Sequence, residues 1–258
     1  PRAGVAAMVR VGRVAVAQSG PIPDADSREQ NVARLVAMLR QSHAQGAECV
    51  VFTECALTAF FPHWDIPLAD IDRYFEREMP NAATQPLFDE AKRLGVGFCL
   101  GYAELATDDA GVSRHFNSCI LVDGSGTTVG KYRKTHLPGY FVPNHAGPSV
   151  PFNYQNLEKR YFDPGDLGWG VWDAWGGRFG MCICNDRRWA ETYRVMGLQG
   201  VECVMLGYVR PQPHLPARSP LCPTHLPPHE PALPTIRRPR PHPSPAAAAR
   251  TPPWTASP

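Results

Sequence analysis

Hydrophobic and polar positions follow two rhythms along this chain. Short apolar runs alternate with longer stretches of 3.6-residue period. Residues 11–18 form a β-branched run that ends at Ser19, Gly20 and Pro21, which predicts a strand and a turn. Over 27–45 the apolar residues Val32, Leu35, Val36 and Leu39 fall on the i, i+3, i+4, i+7 stripe of a helix. Asp26 or Ser27 can cap its start and Gly46 can end it. Residues 49–53 make a short, wholly apolar run, the pattern of a strand covered on both faces. A second helix is predicted to open at Thr84 and Pro86, carry Leu87, Ala91 and Leu94 on one side, and stop at Gly95. Residues 96–101 read as a strand. Residues 117–122 and 127–132 flank Asp123-Gly124-Ser125-Gly126, a hairpin signal. Residues 179–184 read as a strand, 188–197 as a helix and 201–206 as a strand.

Repeated strand–helix–strand units predict an α/β domain with covered sheets. The stretch from His136 to Asp173 is rich in Pro and aromatic residues and reads as one long loop. Loops of that length usually carry function.

Composition changes this picture at Tyr208. Residues 209–258 hold 16 of the 28 prolines, six Arg, one acid (Glu230), and neither Gly nor Lys. The preceding 208 residues hold 20 basic and 23 acidic side chains, so an acidic body precedes a basic tail. A Pro-dense segment lacks backbone donors and buries too little apolar surface to offset its ordering entropy. The expected organisation is therefore a domain over 1–208 and a disordered Pro/Arg-rich tail over 209–258. The whole chain has 258 residues and a formal charge of +2, which gives no argument for a nucleic-acid or membrane partner. No run approaches the ~18 apolar residues of a spanning helix. Residues 1–7 lack the apolar stretch of a secretory signal, and since Met8 is the first Met they read as a vector or upstream scar.

The eight cysteines, at 49, 55, 99, 119, 182, 184, 203 and 222, mostly sit inside apolar strand-like runs. That predicts reduced, buried thiols and a cytoplasmic protein. Cys182 and Cys184 are two apart, which is not the spacing of common zinc sites, so no metal is expected.

In α/β sheets, ligands gather beyond the carboxyl ends of strands. Three reactive side chains follow apolar strands here: Glu54, Lys134 and Cys184. A free thiol has a pKa of about 8.5 and little thiolate at neutral pH. A neighbouring carboxylate can take its proton, and a neighbouring ammonium can stabilise a thiolate and later an oxyanion. The backbone N–H of Asn185, at the start of the following helix, is a candidate second oxyanion donor.

Thr53-Glu54, the run Gly130 to Gly139 containing Lys134, and Cys184-Asn185-Asp186-Arg187-Arg188-Trp189 resemble the three signature regions of the nitrilase superfamily of carbon–nitrogen hydrolases. The flanking runs 58–64 and 157–168 resemble the branch that hydrolyses N-carbamoyl-D-amino acids. The likeness covers about residues 9–208. It implies a four-layer α-β-β-α sandwich, incomplete at the C-terminus, with neither metal nor organic cofactor. It implies Cys184 as nucleophile, Glu54 as general base, Lys134 as oxyanion-stabilising cation and Glu158 as a second active-site glutamate. Asn185, Arg187, Arg188 and His136 are implied around the substrate. A guanidinium fork suits a planar carboxylate, so the expected partner is a small molecule bearing one. The expected products are a D-amino acid, carbon dioxide and ammonia, released through a carbamoyl-enzyme.

Other branches of the superfamily are the alternatives: ureidopropionase, carbamoylputrescine amidase, nitrilase or aliphatic amidase. The likeness stops at Gly207-Tyr208, Asn156 stands where a His is usual, and the stretch 140–153 is longer than usual. The break at Tyr208 predicts a shifted reading of the family's C-terminal part, the part that family members use in homo-oligomer contacts, and on that reading an inactive truncated fragment.

Overall fold

The computed structural model describes residues 12–139 and 157–209. The expectations for residues 140–156, Asn156 included, and for the tail from residue 210 lie outside the described residues.

The first elements follow the pattern read above. Strand β1 is Val14–Val16, helix α1 is Arg28–Ala44 and strand β2 is Cys49–Val51. Ser27 caps α1 in a reciprocal box: its Oγ accepts from Gln30 N at 3.3 Å, and Gln30 Oε1 accepts from Ser27 N at 2.8 Å. The predicted stripe is the buried face, with Val32, Leu35 and Leu39 in the core. Helix α2, Gln85–Leu94, carries a Pro in its first turn and ends at left-handed Gly95.

Strands β3 (Gly97–Thr107) and β4 (Ser113–Val122) extend well beyond the apolar runs that predicted them, and β5 is Thr128–Arg133. Together β1 to β5 form one sheet in chain order, parallel from β1 to β3 and antiparallel from β3 to β5. The hairpin between β4 and β5 is the one expected, its turn tied by Asp123 Oδ1 to Ser125 N, Ser125 Oγ and Thr127 N. The hairpin between β3 and β4 was not expected. Its strands carry Glu104 and Arg114 where the apolar rhythm lapses, and Asp108 ties its turn through Ala110 N and Val112 N.

The stretch read as one long loop contains a four-residue helix, α3 (Glu158–Tyr161), and strand β6 (Val171–Ala174). Strands β7 (Gly177–Ile183) and β8 (Cys203–Gly207) complete a second sheet in the order β6-β7-β8. The helix predicted at 188–197 is present as α4, Ala190–Leu198, its start two residues later because a 3-10 helix spans Cys184–Arg188.

The layers follow from alternation along the strands. Val50, Phe98, Leu100, Ile120 and Val122 point from the first sheet into a core with Leu35, Leu39, Leu87 and Ala91 of α1 and α2. Cys49, Val51, Cys99, Cys119, Leu121 and Tyr132 point the other way and meet Met181, Ile183 and Met205 of the second sheet. On the far side of that sheet, α4 lies so close that a Cβ added at Gly180 would come 2.5 Å from Met196 Sδ. The order is helix, sheet, sheet, helix: the α-β-β-α sandwich.

Two glycines set the site from opposite sides. A Cβ on Gly101 of β3 would fall 2.7 Å from Glu54 Cα, and one on Gly207 of β8 would fall 2.8 Å from Phe52 O. The segment after β2 is therefore held between the two sheets, and only backbone fits against it. Gly101→Ala has no flexible side chain to push aside and is expected to destabilise the domain by about 1–3 kcal/mol, read as a lower urea midpoint with an unchanged m-value.

Candidate active site

The carboxyl ends of β2, β5, β7 and β8 converge at one end of the sandwich. Glu54 follows β2, Lys134 follows β5, and Cys184 follows β7. The turn after β2 is completed by Cys55 at φ +49°, and Cys184 itself sits at φ +46°. Left-handed backbone at a side chain with a Cβ is unfavourable by about 1–2 kcal/mol per residue, so the fold holds two strained turns at the same place.

Lys134 Nζ lies 2.7 Å from Glu54 Oε1 and 2.6 Å from Glu158 Oε2. All three side chains are shut off from solvent. Burial disfavours the Lys134 ammonium, but the charges of Glu54 and Glu158 overcome that and hold it well above the ordinary lysine range. Lys134 is therefore a fixed cation. Glu158 opens α3, the short helix inside the expected loop.

Cys184 shares this electrostatic neighbourhood. Burial, and then the charge of Glu54, push its thiol up to about 12; Lys134 opposes them and Glu158 adds to them. Burial is the larger cause, and two carboxylates against one ammonium add a net negative charge beside the sulfur. At neutral pH the group is a thiol, and it requires a base to react.

Two further residues organise the site. Asn117 of β4 is fully buried and donates from Nδ2 to Glu54 Oε1 at 2.8 Å. Asp186 is also fully buried. Its Oδ2 accepts from Tyr132 OH at 2.8 Å and from Ile183 N at 3.0 Å. Its Oδ1 accepts from His136 N at 2.9 Å and faces His136 Nδ1 at 3.1 Å. Asp186 thereby ties the strained turn of Cys184 to the segment that follows Lys134. Neither residue was singled out from the sequence. The available signals were a polar residue heading the apolar run 117–122 and an acid inside the run 184–189.

The remaining expected residues divide. Arg187 is in the site: its Nη1 donates to Cys184 O at 2.5 Å and lies 3.8 Å from Cys184 Sγ, with its guanidinium 5.2 Å from the Tyr208 ring. Arg188 is exposed. Asn185 donates its side-chain amide to His136 O at 3.0 Å. The His136 ring stacks against Trp189 at 4.6 Å and Trp169 at 5.6 Å. Its polar contact is with Asp186, so it braces the nucleophile turn. The 3-10 helix after Cys184 is too short for the helix N-terminus expected there. Among the described residues, no group of three or more His, Cys, Asp or Glu side chains is placed to hold a metal ion, and no helix is long and apolar enough to cross a membrane.

The carbon–nitrogen hydrolase family profile matches residues 13–227. The chain belongs to the carbon–nitrogen hydrolase family. The match reaches beyond Tyr208, where the likeness read from the sequence ends. The chain is 33% identical over 180 residues to an N-carbamoylputrescine amidase of Arabidopsis thaliana, covering 69% of this chain and 52% of the relative. It is 29% identical over 181 residues to the omega-amidase NIT2 of Homo sapiens, covering 70% of this chain and 58% of that one. The chain thus spans about half the length of the curated relatives it matches. A carbon–nitrogen hydrolase from Helicobacter pylori G27 shares its fold, with a TM-score of 0.59 at 22% identity over 76% of this chain and 59% of that one. An amidase from Nesterenkonia sp. does so with a TM-score of 0.56 at 19% identity, over 76% and 64%.

Asp186→Ala in this chain would strip several donors of their acceptor. It is expected to lower stability by about 3 kcal/mol, measured by urea unfolding, and to slow alkylation of Cys184 in peptide-resolved labelling.

Proposed function

We propose that this site hydrolyses a non-peptide carbon–nitrogen bond through Cys184, and that its substrates are N-carbamoyl-D-amino acids. The observation that carries the reading is the buried Glu54–Lys134–Glu158 cluster beside a protonated thiol. The cluster sets a carboxylate that can act as base and a fixed cation beside a nucleophile, the set that attack on a carbonyl needs.

The chemistry follows from the charges. Glu54 takes the thiol proton as sulfur attacks the ureido carbonyl. The carbonyl oxygen becomes an oxyanion, and Lys134 supplies the fixed positive charge for it, with the Asn185 N–H as second donor. Collapse of the tetrahedral adduct expels the amino acid nitrogen, which takes the proton from Glu54. Water then attacks the thiocarbamate while Glu54 accepts its proton. Sulfur leaves, is reprotonated, and the released carbamic acid breaks down to carbon dioxide and ammonia. Each turnover consumes one water.

Arg187 supports a substrate with a carboxylate. Its guanidinium stands next to the nucleophile, where it would attract an anionic group and repel a cationic chain. A second reading, an amidase for carbamoylputrescine, rests on the 33% identity to the plant enzyme; the Arg187 charge weighs against it. The buried free thiols Cys49, Cys55, Cys99, Cys119 and Cys182 suit a reducing compartment such as the cytoplasm. Assembly into homo-oligomers would follow the family.

The test is a panel of N-carbamoyl-D-amino acids, N-carbamoyl-L-amino acids, N-carbamoyl-β-alanine, N-carbamoylputrescine and simple amides, assayed by ammonia release. Turnover is expected with the D-carbamoyl acids and is expected to vanish in Cys184→Ala. Faster turnover of carbamoylputrescine would favour the second reading. Full turnover in Cys184→Ala would remove the nucleophile.

A further inference from the structure

We propose that Asn117 is a positioning residue that decides which oxygen of Glu54 carries the proton. The inference rests on the reading of Glu54 as general base and concerns how that base is held.

The two oxygens of Glu54 are occupied unequally. Oε1 accepts from Lys134 Nζ at 2.7 Å and from Asn117 Nδ2 at 2.8 Å. Oε2 accepts from the backbone N–H of Val209 at 3.1 Å. A carboxylate oxygen offers two lone-pair sites, so the two donors fill Oε1 and leave one place on Oε2. The proton from the Cys184 thiol therefore arrives at Oε2. Without Asn117 both oxygens would be open to it, and the base would have two orientations of proton delivery in place of one.

Asn117 is built for this role. It is fully buried in the middle of the strand pairing, opposite Ala103 of β3. Its carbonyl accepts the backbone N–H of Lys134 at 2.8 Å, so one residue fixes the main chain of the cation and the side chain of the base. Its Nδ2 also lies 3.4 Å from Glu158 Oε2, placing a neutral donor between two carboxylates. Asn117 Oδ1 has no hydrogen-bond partner. Turning the amide over would set that oxygen against both carboxylates, so their charges fix its orientation.

The groups facing Glu54 are Lys134 from the end of β5, with Glu158 of α3 on the same ammonium, Cys184 from the end of β7, and its neighbour Cys55. A hydrogen bond to the charged form of an acid favours that form. Losing the Asn117 donor therefore makes the charged form of Glu54, the form that acts as base, less favourable. Since the Cys184 thiol needs this base, the effect is readable without turnover.

The experiment is peptide-resolved iodoacetamide labelling of Cys184 against pH in the full chain and in Asn117→Leu, Asn117→Asp and Glu54→Gln. In Asn117→Leu the acid limb of the labelling profile is expected to move up by about one pH unit, a tenfold loss of rate on that limb. Asn117→Asp keeps the shape, loses the donor and adds a third acid, so its limb is expected to move further; it decides the matter should Asn117→Leu not fold. A limb that stays within about 0.2 unit in a folded variant, with only the melting temperature lowered, overturns the proposal and leaves Asn117 a strand residue. If Glu54→Gln leaves the profile of the parent chain unchanged, the base assignment itself fails, which is a different result.

Discussion

A single lysine ammonium, sealed from water between two carboxylates, is the interaction on which this structure depends. Desolvating an ion is unfavourable by several kcal/mol, and Lys134 recovers it only because Glu54 and Glu158 each come within hydrogen-bond distance. The partners arrive from three separate elements: the end of β2, the end of β5 and the start of α3. The ion cluster thus fixes where those elements stop relative to one another. It also leaves an unbalanced negative charge, which adds to burial in keeping the neighbouring thiol protonated. Nucleophile and base are matched as a result: the same carboxylate that discourages a thiolate is the one placed to remove the proton when substrate arrives.

The fold contributes close approach. Gly101 and Gly207 press backbone against both sides of the segment carrying Glu54, which no side chain would permit. Left-handed backbone at Cys55 and Cys184 turns the chain sharply after β2 and β7. Asp186 holds the second of those turns through Ile183 N, Tyr132 and His136. Strain at the two turns is tolerated because the surrounding hydrogen bonds over-determine them.

Much of this was readable from the chain, for identifiable reasons. Helices α1 and α2 have clean apolar stripes, caps and glycine stops. Strands β2 and β7 are buried runs, and the turn at Asp123 has the residues a hairpin needs. Glu54, Lys134 and Cys184 could be picked out because each follows an apolar strand. The failures also have causes. Strands β3 and β4 run on through Glu104, Ser118 and Arg114, because Glu104 is neutralised by Lys131 and Arg133 and accepts from Ser118 Oγ at 2.6 Å; a charged pair across strands looks like a break when each strand is read alone. The helix after Cys184 starts late because the left-handed residue at 184 and the bonds of Asp186 force a 3-10 turn first. Asn117 and Asp186 escaped notice because their importance lies in what meets them from other strands. How far the Cys184 thiol is raised escaped the sequence for the same reason: burial and three neighbouring charges act on it together, and neither is visible until the elements are packed.

The most direct test of the buried cluster is a double-mutant cycle on stability. Glu54→Gln, Lys134→Met and the combined variant would be unfolded in urea at neutral pH. Lys134→Met strands two buried carboxylates and is expected to destabilise by about 3–5 kcal/mol, whereas Glu54→Gln leaves Lys134 paired with Glu158 and is expected to cost less. The double variant is expected to lose at least about 2 kcal/mol less than the two singles added together. Losses that add to within about 0.5 kcal/mol would mean that Glu54 and Lys134 do not meet in the folded protein, and the account would be contradicted at its root.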